Sequence, residues 1–348
     1  MSIIERVYAC AAPIPGALHP ALPDSVSRRN TWWSADDTPL IRCGYARGMA
    51  PVLPATRRRQ HVYDDSQRWE RFTPRPDDIF ITTPPKSGTT WMQGIVASLL
   101  WPHGDAPAPA FELSPWLDAR IVPLDDMIAR VDAIPHRRFI KTHSPADCTP
   151  IFTECRYLAV YRDGRDVLVS FANHRRKFRP EVIEALNAIA ARDGVAPWPP
   201  VWDGDMDQLF DEWVDWGTPM EHLASWWPNR HEPFVLLVHY ADLIRDLGGE
   251  MRRIADFLDV DIPTALWSEV VERCRFEAMK SQHEASEILN LAFPEGATAF
   301  FNQGTNGRWR AQLSEAQLRR HEQLAAERLP EDAVLWLEHG SLALGQRP

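Results

Sequence analysis

From about residue 75 the chain alternates short, continuous apolar runs with stretches whose apolar residues recur every three or four positions. Ile79-Phe80-Ile81-Thr82-Thr83 is the first run and predicts a buried strand. Trp91, Ile95 and Leu99 then share one face of a helix. Phe139 to Thr142 predicts a second strand. Tyr157 to Tyr161 predicts a third, followed by a helix through Val167, Leu168 and Phe171. Phe234 to Val238 predicts a fourth, with a helix through Met251, Ile254, Ala255 and Leu258 after it. Strands that are apolar on both faces belong to parallel sheets covered by helices on both sides. The pattern therefore predicts an α/β fold with a doubly wound central parallel sheet.

Outside this core the pattern changes. Ser314 and Gln317 form a capping box that opens a helix through Leu318 and Leu324, and Gly340 marks the stop of a final short helix. The stretch 179–215, rich in Pro, Asp and Trp, predicts a large loop with short helices. Residues 1–56 show little periodicity and read as an irregular N-terminal extension, with Trp32-Trp33 expected to dock on the remainder. Residues 57–348 are expected to form a single α/β domain. Arg57-Arg58-Arg59 reads as a solvated turn.

Composition narrows the class. A chain of 348 residues buries roughly 75% of its unfolded surface and needs no metal or disulfide to hold a core. The longest apolar run, near Gly94 to Pro102, is far below the roughly 20 residues of a membrane span. The formal charge of −10 argues against nucleic acid as a partner. Five cysteines without C-x-x-C spacing suggest neither a disulfide framework nor a zinc site, so no metal and a cytoplasmic setting are expected. An anionic ligand would have to be held by a few focused cations and backbone amides.

Such cations follow the strands. Lys86 lies in the loop after the first, Lys141 and His143 at the end of the second, Arg162 at the end of the third, and Tyr240 after the fourth. In doubly wound sheets the ligand crevice lies at these carboxyl ends. The first loop, Pro85-Lys86-Ser87-Gly88-Thr89-Thr90-Trp91, has the parts of a phosphate cradle: a glycine for close backbone approach, a lysine, and hydroxyls at a helix N-terminus. It lacks the Gly-Lys-Ser/Thr order of the nucleoside-triphosphatase loop.

That loop resembles the 5′-phosphosulfate loop of the cytosolic sulfotransferase family. Arg162 followed by Ser170 around Arg165-Asp166-Val167 resembles the family's 3′-phosphate motif. Lys141-Thr142-His143-Ser144-Pro145 resembles the strand end carrying its catalytic histidine, and Phe300 to Trp309 its C-terminal loop. Ser114 to Asp118 looks most like bacterial glycolipid sulfotransferases. The resemblance implies 3′-phosphoadenosine 5′-phosphosulfate (PAPS) as sulfuryl donor, adenosine 3′,5′-bisphosphate (PAP) as product, and a small-molecule or lipid-like hydroxyl acceptor. It implies His143, Lys86 and Lys141 as catalytic residues. It implies donor contacts from Lys86, Ser87, Gly88, Thr89 and Thr90 at the 5′-phosphate, and from Arg162 and Ser170 at the 3′-phosphate. Trp91, Phe276 and Tyr240 would surround the adenine, and Phe300, Asn302, Gln303 and Gly304 would contact the donor from the C-terminal loop, with Asn302-Gln303 at the 3′-phosphate.

One departure stands out. Asn302-Gln303 replaces the family's Arg-Lys pair, and charge-assisted bonds are roughly twice as strong as neutral ones. Weaker donor binding is expected unless Arg308 and Arg310 compensate. Two other readings remain open. One is a nucleotide-binding relative with little or no activity. The other is a kinase with Mg²⁺ at Asp163. The sequence leaves the acceptor's identity and the oligomeric state open.

Overall fold

A computed structural model describes residues 49–199, 202–216, 218–284, 286–301 and 304–345. Strands β1 (Ile79–Thr82), β2 (Phe139–Thr142), β3 (Arg156–Tyr161) and β4 (Val235–His239) form one sheet in the order β2-β1-β3-β4. Every pairing is parallel, with Ile79 level with Phe139 and Arg156, and Tyr157 level with Val235. Helices α1 (Thr89–Leu100), α2 (Leu124–Asp132), α3 (Gly164–Lys177), α4 (Pro180–Asp193), α5 (Met206–Trp216), α6 (Pro219–Trp226), α7 (Leu247–Phe257), α8 (Thr264–Arg273), α9 (Glu315–Arg328) and α10 (Glu331–His339) surround it.

The two-residue period of the strands explains the layering. Ile79, Ile81, Leu158, Val160 and Val238 form one buried cluster with Met92 and Ile95 of α1 and Met251 and Ile254 of α7. The alternate set, Phe80, Ile140, Tyr157, Ala159 and Tyr161, packs with Leu168 of α3, Leu223 of α6 and Trp336 of α10. Each strand is thus apolar on both faces because each face has its own helices. The doubly wound parallel sheet expected from the sequence is present. The chain leaves β1 toward β2 and returns across it to β3, so the order reverses at β1.

Two expectations are corrected. The segment 179–215 is not a large loop but mainly the long helices α4 and α5. Pro180 opens α4, where its missing N–H costs nothing. Ile183, Leu186, Ile189 and Ala190 then recur at helical spacing and are buried. In α5 the acidic residues face partners: Glu212 pairs with Arg175 at 3.1 Å, Asp207 accepts from Gln317 at 2.9 Å, and Asp211 pairs with Arg320. The solvated turn expected at Arg57-Arg58-Arg59 is corrected in part: Arg57 and Arg58 are exposed but paired, and Arg59 is half-buried. Arg57 pairs with Asp147 and Glu221, Arg58 with Asp65, and Arg59 with Asp64 at 3.3 Å in a nearly buried pair. Of the predicted extension, residues 49–56 lie against the loop before β3, with the Val52 amide donating to Ile151 at 2.7 Å. Trp32 and Trp33 lie outside the described residues.

Candidate active site

A cavity of about 490 Å³ opens where the sheet order reverses, at the carboxyl ends of the strands. Lys86, Lys141, His143, Arg162 and Tyr240 all line it, delivered by the four strand ends and the loops that follow them, with Lys141 and His143 both from the end of β2. Gly88, Thr89, Thr90, Trp91, Ser170, Phe276, Phe300 and Gly304 line it as well. Ser87 does not: it is fully buried, and its Oγ meets no partner among the described residues. Asn302 and Gln303 lie outside the described residues. Arg308 lines the cavity, whereas Arg310 is exposed and lies over the Trp309 ring.

The phosphate loop is built for an anion. Gly88 is the N-cap of α1 at φ 111°, and no side chain caps the first amides of that helix. Those amides and the helix dipole face the cavity end. A Cβ on Gly88 would stand 3.1 Å from the Tyr240 ring. Lys86 holds a left-handed backbone at φ 71°, rare for a residue with a side chain. Burial, Arg162 and Lys141 together push its amine down to about 7. A buried amine beside two other cations is a poor stability choice and a good anion trap. The uncapped helix and the clustered cations fit the phosphosulfate of PAPS.

Across the cavity, the His143 ring is fixed by Thr83. The Thr83 carbonyl is 2.7 Å from Nδ1 and can only accept, so Nδ1 carries the proton and Nε2 keeps a lone pair. Burial and Lys141 hold this imidazole well below its ordinary range, so it is neutral at pH 7. Trp116 meets the His143 ring edge-on at 4.9 Å and lies 4.1 Å under the Lys141 ammonium. Burial pushes the Lys141 amine down to about 8. Behind the strand end, one Asp118 oxygen accepts from Thr142 at 2.6 Å, Ser144 at 2.7 Å and the Trp69 indole at 3.3 Å. Asp118 thereby locks the residues on both sides of His143.

Arg162 donates to the Thr305 carbonyl at 2.7 Å and to Asn306 at 3.1 Å, with its guanidinium 4.5 Å over Tyr240. It does not pair with Asp163 or Asp166. Asp163 caps α3 and binds Arg165 twice. Asp166 accepts the backbone amides of Gly307 and Arg308 at 2.7 and 3.0 Å, which clasps the C-terminal loop to α3. Trp91 donates to the Cys274 carbonyl at 2.8 Å and meets Tyr240 edge-on. Gly304, at φ 65°, leaves space that the Phe276 ring fills, since a Cβ there would stand 2.5 Å from it.

The rest of the cavity is mainly apolar, with Trp116, Phe178, Leu186, Trp198, Leu289 and Phe293 among its walls and Arg59, Asp64, Glu112 and Arg130 among its charged residues. Trp202 is not among the lining residues and lies beneath Arg176. Sequence reasoning missed Thr83, Arg59 and His174. The signal for His174 was available: it lies one turn after Ser170 on the same face of α3.

Comparison with known proteins agrees with this geometry. The sulfotransferase domain family matches residues 76–331. A glycolipid sulfotransferase from Mycobacterium bovis (strain BCG / Pasteur 1173P2) is 31% identical over 303 residues, covering 79% of this chain and 92% of its own. Retinol dehydratase in complex with retinol and PAP shares the fold with a TM-score of 0.61 at 20% identity, over 77% of this chain and 88% of its own. A mouse sulfotransferase complexed with PAP does so with a TM-score of 0.57 at 22% identity, over 76% and 89%. The chain belongs to the sulfotransferase family. It is a PAPS-dependent enzyme that transfers a sulfuryl group to an acceptor hydroxyl.

Proposed function

We propose that this enzyme sulfates a hydroxyl of a glycolipid or similar amphiphilic acceptor, with His143 as general base. The observation that carries the reading is the His143 ring: its Nδ1–H is held by the Thr83 carbonyl, leaving Nε2 as a proton acceptor in a cavity shared with Lys86 and Lys141. When bound, PAPS supplies the activated sulfuryl group. Lys86, Gly88, Thr89 and Thr90 hold its phosphosulfate end, with the Ser87 amide in the same loop. Arg162 and Ser170 hold its 3′-phosphate, while Trp91, Phe276, Tyr240, Phe300 and Gly304 enclose the adenine. Lys86 stabilises charge on the leaving phosphate oxygen, and Lys141 that on the sulfuryl oxygens. His143 takes the acceptor proton at Nε2. The long apolar wall from Trp116 to Phe293 suits a lipid-like acceptor. A related glycolipid sulfotransferase supports that class. Cys148, Cys155 and Cys274 are buried free thiols, in keeping with a reducing, cytoplasmic setting.

His143→Ala is expected to lower kcat by about 10² to 10⁴ while leaving PAP affinity near the wild-type value. Sulfate transfer from labelled PAPS and calorimetric PAP binding check both parts, and near-normal turnover would overturn the assignment. The kinase reading is disfavoured because Asp163, its expected metal ligand, is committed to capping α3 and binding Arg165.

A further inference from the structure

His174 has no role in the mechanism above, yet it reaches the centre of the cavity. It sits on α3 one turn beyond Ser170, and its Nδ1 lies 3.2 Å from the Lys86 amine. With the sulfuryl donor's anion bound, Lys86 is held as the ammonium, which has donors only, so Nδ1 accepts. Burial and then Lys86 hold this imidazole well below its ordinary range, so it is neutral and its single ring proton sits on Nε2. The two cavity histidines are therefore opposite tautomers. His143 presents a lone pair at Nε2, and His174 presents an N–H there.

His174 lines the cavity, and its surroundings make that N–H costly once a bound acceptor shuts out water. Its ring packs against Phe178 at 4.5 Å, Phe293 at 5.2 Å and Phe300 at 6.2 Å. A phenylalanine would suit such a site. An imidazole there carries a desolvation penalty unless both nitrogens are bonded. Lys86 satisfies one, and among the described residues none bonds the other. Phe178 and Phe293, stacked on each other at 5.1 Å, belong to the acceptor wall rather than to the donor loop. The His174 ring thus adjoins the acceptor wall.

We propose that His174 is a specificity-determining residue whose Nε2–H donates a hydrogen bond to a second oxygen of the acceptor, beside the hydroxyl that is sulfated. The site then selects a sugar or other vicinal polyol over a lone phenol or alcohol. An acceptor with that oxygen bonds a donor that it also shuts off from water, whereas an acceptor without it leaves that donor unpaired. This rests on the sulfotransferase reading and deepens it. Lys86 has a second task here, since its ammonium sets the tautomer that makes His174 a donor.

The test uses octyl β-D-glucopyranoside as a polyol probe and 2-naphthol as a probe with a single oxygen. Wild type, His174→Phe and His174→Gln are each assayed with PAPS. In His174→Phe the ratio of kcat/KM for the glucoside to that for naphthol is expected to fall about tenfold. His174→Gln, which keeps an N–H donor, is expected to restore part of that ratio. An unchanged ratio in His174→Phe overturns the inference, and so does an equal fall for both probes, which would mark a role confined to holding Lys86. Binding of the glucoside to the PAP complex, followed by tryptophan fluorescence, keeps the two readings apart. Binding that His174→Phe weakens, without any transfer by wild type, supports the His174 contact and contradicts the catalytic reading. Wild-type protein that neither binds nor sulfates the glucoside overturns the inference itself.

Discussion

Lys86, Lys141, His143 and His174 share one cavity, and burial lowers the proton affinity of each. Burial lowers Lys86 to about 7 and Lys141 to about 8. PAP is anionic, so its binding favours the charged form of both amines and draws protons onto them. PAP affinity is therefore expected to be highest below about pH 7 and to fall as pH rises from 7 to 8, by up to about tenfold per proton taken up. Calorimetry across that range checks it, and Lys141→Met should make the fall shallower. Without ligand the sign reverses. Between pH 7 and the ordinary lysine range the unfolded chain holds protons that the folded chain has released, so the free enzyme gains stability as pH rises. His143, held neutral, imposes no loss of activity on acidification through the ordinary histidine range.

Among the elements, helix ends carry much of the information. The capping box read from Ser314 and Gln317 is complete, with each side chain bonding the other's backbone amide. Ser314→Ala is expected to cost about 1 kcal/mol, readable as a lowered midpoint in urea unfolding. Gly340 ends α10 as read from the sequence. The strands were legible because both faces are apolar over four to six residues, a pattern with few other solutions. Helices α4 and α5 were obscured by composition, since prolines and acids that read as loop serve here to start helices and to pair with neighbours. At the phosphate loop, Gly88→Ala joins a left-handed backbone to a Cβ that crowds Tyr240. A stability loss of about 1–2 kcal/mol and weaker PAP binding are expected, measured by thermal shift with and without PAP.

For the whole molecule, a net charge of −10 surrounds a cavity that takes a polyanion. Arg162, Lys86 and Lys141 bring cations to that point, and Asp166 clasps the loop of residues 304–308 over it. Asp166→Ala is expected to weaken PAP binding several-fold by releasing that loop, with the unfolding midpoint as a control on global damage. Gln303→Lys is expected to tighten PAP binding by restoring a charge-assisted bond, read by the same calorimetry. The donor half of the site was legible because its residues sit at fixed offsets from strand ends. The acceptor half was not. Arg59 owes its position to the packing of a pre-strand segment against the sheet, and no spacing along the chain encodes such a meeting.

Thr83 joins the two halves. Its carbonyl holds His143, and its hydroxyl lies 2.6 Å from that of Thr89, in the first turn of α1. Occupancy of the phosphate loop is thus separated from the general base by a single residue. The ring nitrogens of His143, followed by ¹⁵N resonance, become a local gauge of whether the donor is loaded before any acceptor arrives.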